Sequence, residues 1–287
     1  MCKSINFSKI RQLSLSLLGV CILIASSSNF SFASGEDVSK VKEQDWTFSG
    51  VFGYYDRAEL QRGFQVYKEV CSSCHSMKYV YYRNLSEPGG PGFSTDEAKA
   101  IAAEFSVTDG PDSNGDMFER NALPSDKFVS PFENNVIARM SNGGALPPDL
   151  SLIAKARSTE RGFPMWIVDL FTGYQEQGVD YVYALLNGYE DMPSDFNLQD
   201  GMNYNKYYPG NQIAMYSPLS ADIVEYADGT EATVENMSKD VSAFLMWTAE
   251  PKLEARKKMG FKVIIFLFIL AGLLYLSKKK IWARLDH

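Results

Sequence analysis

Cys71-Ser72-Ser73-Cys74-His75 is the stretch on which the reading of this chain turns, because C-x-x-C-H is the attachment sequence of a c-type haem. On a helix these positions fall at i, i+3 and i+4, so both sulfurs and the imidazole project from one face. The thiols add across the haem vinyl groups while the imidazole ligates iron from the proximal side. Zinc is the competing reading, since it also accepts two Cys one helical turn apart plus a His. Zinc needs a fourth ligand, and with four Cys and two His in the chain the remaining donors are Cys2, Cys21 and His287, all in terminal segments.

Upstream of the motif, residues 56–75 read as one helix. Asp56 and Glu59 fit a D-x-x-E capping box, and Leu60, Phe64, Tyr67 and Cys71 recur at helical spacing. Gly63 in the middle costs about 1 kcal/mol relative to Ala, which makes sense where another helix crosses closely. The expected partner is a helix over 234–249, capped by Thr233 and stopped by Pro251, with Val234, Met237, Val241, Phe244, Leu245 and Thr248 on one face. Asp228-Gly229 between two short β-prone runs predicts a hairpin. Shorter helices are expected over 150–157 and 179–186, the latter closed by Asn187-Gly188.

Both ends of the chain carry membrane signals. Residues 1–33 read as an export signal, with Lys3, Lys9 and Arg11 ahead of an apolar run and Ser31-Phe32-Ala33 as a small-x-small cleavage site. Cleavage removes Cys2 and Cys21, so an exported domain keeps only the two motif thiols, as expected if haem consumes them. Near the other end, residues 263–276 carry no charged side chain, and with flanking Lys262 and Lys278 snorkelling the span 259–282 is long enough to cross a bilayer of about 30 Å. The organisation expected is a signal over 1–33, an exported haem domain over 34–250, an anchor over 259–282 and a short cytoplasmic tail over 283–287. His287 is then across the membrane from the haem.

The exported portion carries 16 Lys and Arg against 33 Asp and Glu, a net charge of −17. Such a field favours a cationic partner and disfavours nucleic acid; it also serves solubility. With one C-x-x-C-H and no internal repeat, one haem and one domain are expected. Iron that shuttles electrons needs a second axial ligand, and with His75 proximal the choices are a Met, an amine or an open position. Met215 stands out among the methionines because it lies in an aromatic loop braced by Pro209 and Pro218, far along the chain from His75. Core filling is the ordinary use of any single Met.

Several long motifs in order then point to a family. Trp46-Thr47-Phe48-Ser49-Gly50, the run from Arg62 to Cys71, Cys74-His75-Ser76-Met77, Asn142-Gly143-Gly144-Ala145-Leu146-Pro147-Pro148-Asp149-Leu150-Ser151, the Met215 loop and Trp247-Thr248-Ala249-Glu250-Pro251 together resemble the cytochrome c1 family. The resemblance implies a mainly α fold: a class I cytochrome c-like haem domain with long loop insertions, a small β-hairpin and one C-terminal transmembrane helix. It implies one covalently bound haem c with His75 and Met215 as axial ligands, Arg157 pairing with a haem propionate, and a carbonyl of the Pro147-Pro148 pair, assigned to Pro147, accepting the His75 ring N–H. It implies an electron-carrying subunit with no catalytic residue of its own, partnered by cytochrome b, a Rieske iron-sulfur protein and a basic soluble or tethered cytochrome c in a dimeric complex. The expected location is a bacterial inner membrane, single-pass, with the haem domain periplasmic. Residues 96–133 and 190–200 look like family-variable insertions and receive no role.

Overall fold

Helix α1, Arg57–Glu69, starts at Asp56, whose carboxylate accepts the Ala58 and Glu59 backbone N–H groups at 2.8 and 3.2 Å. Only this arm of the expected capping box forms, because Glu59 is buried, 6% exposed, on the face that packs inward. The computed structural model describes residues 41–157 and 177–283. The expected signal over 1–33, most of the expected tail and His287 lie outside the described residues.

The crossing anticipated from Gly63 is present. Helix α6, Val234–Ala249, begins at Thr233, whose hydroxyl accepts the Asn236 N–H at 3.1 Å. It lies so close to α1 that a Cβ on Gly63 would sit 2.1 Å from the Asp240 carbonyl oxygen and 2.7 Å from the Phe244 Cβ. Burial on α6 extends well beyond the expected stripe to Ser238, Asp240, Ala243, Met246 and Trp247. The helix is therefore the centre of the domain, and Arg62 of α1 reaches across to hold Asp240 bidentately at 2.9 and 3.0 Å. Phe64 and Tyr67 pack against Phe244 with tilted rings, centroids 5.7 and 5.9 Å apart. Fully burying each such side chain is worth roughly 1.5–3 kcal/mol.

The stretch 96–133, which looks like a variable insertion in the sequence, proves structural. Helix α2, Thr95–Ala103, starts at a Ser94/Glu97 capping box. It leads to an antiparallel pair, β1 (Ser106–Asp109) with β2 (Phe118–Asn121), in register from Ser106 opposite Asn121 to Asp109 opposite Phe118. Beyond it Phe128 stacks on Tyr82 at 4.7 Å and packs against Phe64 and Tyr67 at 6.0 Å each, so this segment completes the core beside α1.

Three shorter helices follow: α3 (Asn135–Ser141), α4 (Ile153–Ala156) and α5 (Gln177–Leu186). Trp46 is tied to α5 by its indole N–H, which donates to Asp180 at 2.7 Å, and it stacks on Phe48 at 5.3 Å. The hairpin expected around Asp228-Gly229 is a turn without a ladder: Asp228 caps it by accepting the Thr230 N–H at 2.9 Å, and Asp222 N–H donates to the Ala232 carbonyl at 3.0 Å. The second strand pair lies elsewhere, β3 (Asn203–Tyr204) against β4 (Gln212–Ile213), at the start of the Met215 loop. Helix α7, Leu253–Trp282, begins after Pro251 and Lys252 and runs 30 residues, starting six residues before the expected anchor. It spans about 45 Å and is the one helix among the described residues long and apolar enough to cross a membrane.

Candidate haem site

The helix carrying the motif ends earlier than expected. α1 stops at Glu69, and Cys71–Ser73 form a 3-10 turn. The two serines between the cysteines account for this: Ser72 Oγ donates to the Lys68 carbonyl at 2.7 Å and Ser73 Oγ to the Val70 carbonyl at 2.8 Å. Side-chain hydroxyls competing for backbone acceptors disfavour continued helix. The turn still keeps the one-face arrangement in part, since His75 N–H donates to the Cys71 carbonyl at 2.9 Å, the span of a helical turn.

Both motif thiols are free and half-buried. Burial, with the Cys74 sulfur second, pushes the Cys71 thiol up to about 12. Among the described residues no cluster of three or more His, Cys, Asp or Glu side chains is arranged to hold a metal ion.

His75 is oriented by the loop that follows α3. Its Nδ1 donates to the Pro148 carbonyl at 2.8 Å. The acceptor is therefore Pro148, not Pro147. Burial holds the imidazole below its ordinary pKa, more than the Pro148 bond and Asp149 raise it. A neutral ring with its proton on Nδ1 presents the Nε2 lone pair, which is the donor a haem iron requires.

Asp149 is the residue that sequence reasoning passes over. One oxygen accepts Ser76 Oγ at 2.8 Å and the Lys78 N–H at 2.9 Å; the other accepts the Ser151 N–H at 2.9 Å. Leu150 N–H donates to the Ser76 carbonyl at 2.9 Å, and Tyr79 N–H to Ser151 Oγ at 3.1 Å. The segment after His75 is thus laced to the segment after Pro148, which places the carbonyl under the imidazole. Burial alone would raise the Asp149 carboxyl, yet the bonds from Ser151, Lys78 and Ser76 hold it below its usual value. The signal is visible in Pro147-Pro148-Asp149-Leu150-Ser151, where an Asp two residues before a Ser is a turn-forming pattern.

Met215 is half-buried and its backbone is held by Tyr189, whose hydroxyl donates to the Met215 carbonyl at 3.1 Å. Asn205 anchors the loop start by donating to the Leu185 carbonyl at 2.8 Å. Gly188 allows this: a Cβ there would lie 2.7 Å from Asn205 Oδ1 and from a Tyr207 ring carbon, so close approach, not a left-handed helix cap, is its use. By contrast, Met77, Met237 and Met246 are fully buried and fill the core. Arg157 is exposed at the end of α4, where its charge partly offsets the rise that burial imposes on Tyr181.

A pair of free thiols one turn apart, beside an imidazole whose outer nitrogen is tied to a backbone carbonyl, suits a covalently attached haem far better than a zinc ion. With α7 continuing from the same domain, the class this defines is a membrane-anchored c-type haem protein. The Cytochrome C1 family profile matches residues 46–285, and the chain belongs to that family. It is 55% identical over 251 residues to a cytochrome b/c1 of Bradyrhizobium diazoefficiens, covering 87% of this chain and 36% of that longer protein. Cytochrome c1 of Blastochloris viridis is 47% identical, covering 87% and 88% of the two chains. Cytochrome c1 of Rhodospirillum rubrum is 46% identical, covering 85% and 88%. Family membership implies a covalently bound c-type haem, and Cys71, Cys74 and His75 are the residues placed to hold it.

Proposed function

We propose that this chain is the monohaem electron-carrying subunit of a ubiquinol-cytochrome c oxidoreductase, receiving electrons from a Rieske iron-sulfur protein and delivering them to a c-type cytochrome. The observation that carries the proposal is the 2.8 Å bond from His75 Nδ1 to Pro148, in a chain of the Cytochrome C1 family. Bound haem supplies one-electron exchange between ferric and ferrous iron. The chain's own contribution would be to attach, orient and shield: Cys71 and Cys74 would form the thioether links, and His75 and Met215 would hold the iron. Arg157 would pair with a propionate. No acid, base or nucleophile is needed.

Cytochrome b is the membrane partner, in a dimeric complex, and α7 is the single-pass anchor in a bacterial inner membrane. The organisation proposed is a signal over 1–33, a periplasmic haem domain over 34–250, the anchor and a short cytoplasmic tail. The acidic balance of the exported portion supports a basic soluble or tethered cytochrome c as acceptor; Asp191, together with Glu190 paired to Lys206, lines a cleft of about 820 Å³ with Tyr189, the residue that holds the Met215 backbone.

The test combines a spectrum with a substitution. A tagged full-length protein extracted from native membranes in mild detergent should show a c-type band accompanied by b-type bands; a c-type band alone would support a solitary anchored cytochrome instead. Met215→Leu should open the distal position, lower the midpoint potential and admit carbon monoxide to the reduced protein. An unchanged potential would show that another residue ligates the iron.

A further inference from the structure

A cavity of about 760 Å³ lies where the haem domain meets α7, lined among others by Phe52, Tyr54, Glu254, Lys258, Phe261 and Lys262. Its volume falls in the range of small-molecule sites, about 300–1,000 Å³. The charges around it are unequal in their engagement. Glu254 accepts the Tyr55 N–H at 3.1 Å and pairs with Arg57 at 2.7 Å, and Asp56 is committed to capping α1. Lys257 donates to the Phe48 carbonyl at 2.5 Å. Lys258 and Lys262 are exposed, and among the described residues neither has an acidic partner. Spaced i, i+4, they stand on one face of α7.

The depth of these lysines follows from the helix. Residues 263–277 carry no charge, and at 1.5 Å per residue they span about 22 Å of a hydrocarbon layer of about 30 Å. Lys262 then reaches the boundary of the hydrocarbon with its snorkelling ammonium group, and Lys258, one turn further out, stands at the headgroups. Phe52 is 79% exposed and Phe261 49% exposed, and they meet edge to face at 5.9 Å beside the cavity. Aromatic rings at this depth are interfacial anchors in membrane proteins.

We propose that this cavity binds an anionic phospholipid of the leaflet facing the haem domain, its phosphate between Lys258 and Lys262 and its glycerol and first acyl carbons against Phe52 and Phe261. An unpaired pair of ammonium groups at headgroup depth attracts lipid phosphate, and the aromatic wall gives the apolar part a surface. The lipid would pack domain against anchor and so hold the haem domain's height over the membrane. The proposal rests on α7 being an anchor, and failure of that premise shows separately as release of the chain from membranes by alkaline carbonate.

The experiment uses the full-length, haem-loaded protein in nanodiscs of equal phosphatidylglycerol and phosphatidylcholine, with retained lipid counted by native mass spectrometry after release into detergent. The wild type should retain one phosphatidylglycerol in preference to phosphatidylcholine. Lys258→Gln with Lys262→Gln should reduce that retention by roughly tenfold or more. Phe52→Ala should reduce it while the haem spectrum stays unchanged, and Lys239→Gln on α6 should leave it as in the wild type. Equal retention of the two lipids, or undiminished phosphatidylglycerol in the double variant, would overturn the proposal. So would protection of Lys258 and Lys262 from acetylation by another subunit in the delipidated complex, since a protein would then fill the cavity.

Discussion

Replacing Gly63 by Ala puts one methyl group into the tightest contact of the fold. The added carbon would lie 2.1 Å from the Asp240 carbonyl oxygen, 2.6 Å from the carbonyl carbon and 2.7 Å from Phe244 Cβ. Two of these atoms are backbone, so no rotamer change relieves the clash. Restoring ordinary contact at 3.4 Å requires α1 and α6 to part by about 1.3 Å along that line. The same movement stretches the Arg62–Asp240 bonds and thins the packing of Phe64 and Tyr67 on Phe244. Overpacking of this kind costs about 1–3 kcal/mol, and loss of contact around the aromatic cluster adds to it; better helix propensity returns about 1 kcal/mol. The net expectation is a loss of about 1–3 kcal/mol, or a fall in apparent Tm of roughly 2–10 °C for a domain of this size. The assay is thermal denaturation of the haem-loaded full-length protein in detergent, followed by far-UV circular dichroism. Gly272→Ala is the control, because nothing lies within 4 Å of its Cβ position and its φ is not positive. A Gly63→Ala protein that melts at or above the wild-type temperature would refute the claim that this glycine exists for close helix crossing.

Three further outcomes test other parts of the structure. Arg62→Met removes the cation that compensates Asp240, whose side chain is 5% exposed; a loss of about 3–5 kcal/mol is expected, partly recovered when Asp240→Asn is combined with it, and additive losses in the double variant would contradict this. Glu59 is pushed up to about 7 by burial first and by Asp240 second, so the folded state holds its proton more tightly than the unfolded state. Its contribution to stability is full below about pH 4.5 and lost as pH rises through 7; Glu59→Gln should flatten the fall of apparent Tm between pH 5 and 8, and an identical pH profile would count against it. Asp149→Ala should free the 76–79 segment from the 148–151 segment at a cost of about 1–3 kcal/mol and disturb the His75 orientation, read as a shifted midpoint potential. Asp149→Asn, which keeps one acceptor oxygen, should fall between, and equal potentials in all three proteins would deny Asp149 a positioning role.

Much of the site is legible in the amino-acid order. Cys71, Cys74 and His75 announce their chemistry because covalent haem attachment needs those residue types at that spacing, and spacing is a property of the chain. Gly63 and the periodicity of α6 announce their mutual crossing because a glycine in a helix is costly unless something approaches. Other features escape a linear reading, for a physical reason in each case. Helical spacing through the motif points to a helix running on to His75, but the hydroxyls of Ser72 and Ser73 turn back onto backbone carbonyls and end it. The Asp228-Gly229 segment is a simple turn, because Asp228 takes the Thr230 N–H and the Asp222 N–H goes to the Ala232 carbonyl, contacts that form no ladder. Residues 96–133 look like a family-variable insertion in one dimension and receive no role there, although Phe128 completes the aromatic cluster around Tyr82, Phe64 and Tyr67.

What the amino-acid order determined by itself is local: a haem-attachment motif, a capped helix leading into it, an apolar span of membrane length, and an acidic surface. These follow from spacing, periodicity and charge, which need no neighbours beyond a few residues. Only the tertiary structure decided which carbonyl orients His75, that Asp149 laces two loops 71 residues or more apart into one platform, and that Tyr189 reaches across to hold Met215. A hydrogen bond of 2.8 Å depends on where two backbones come to rest, and that is settled by the packing of α1 on α6 and of the loops around them, not by either segment alone.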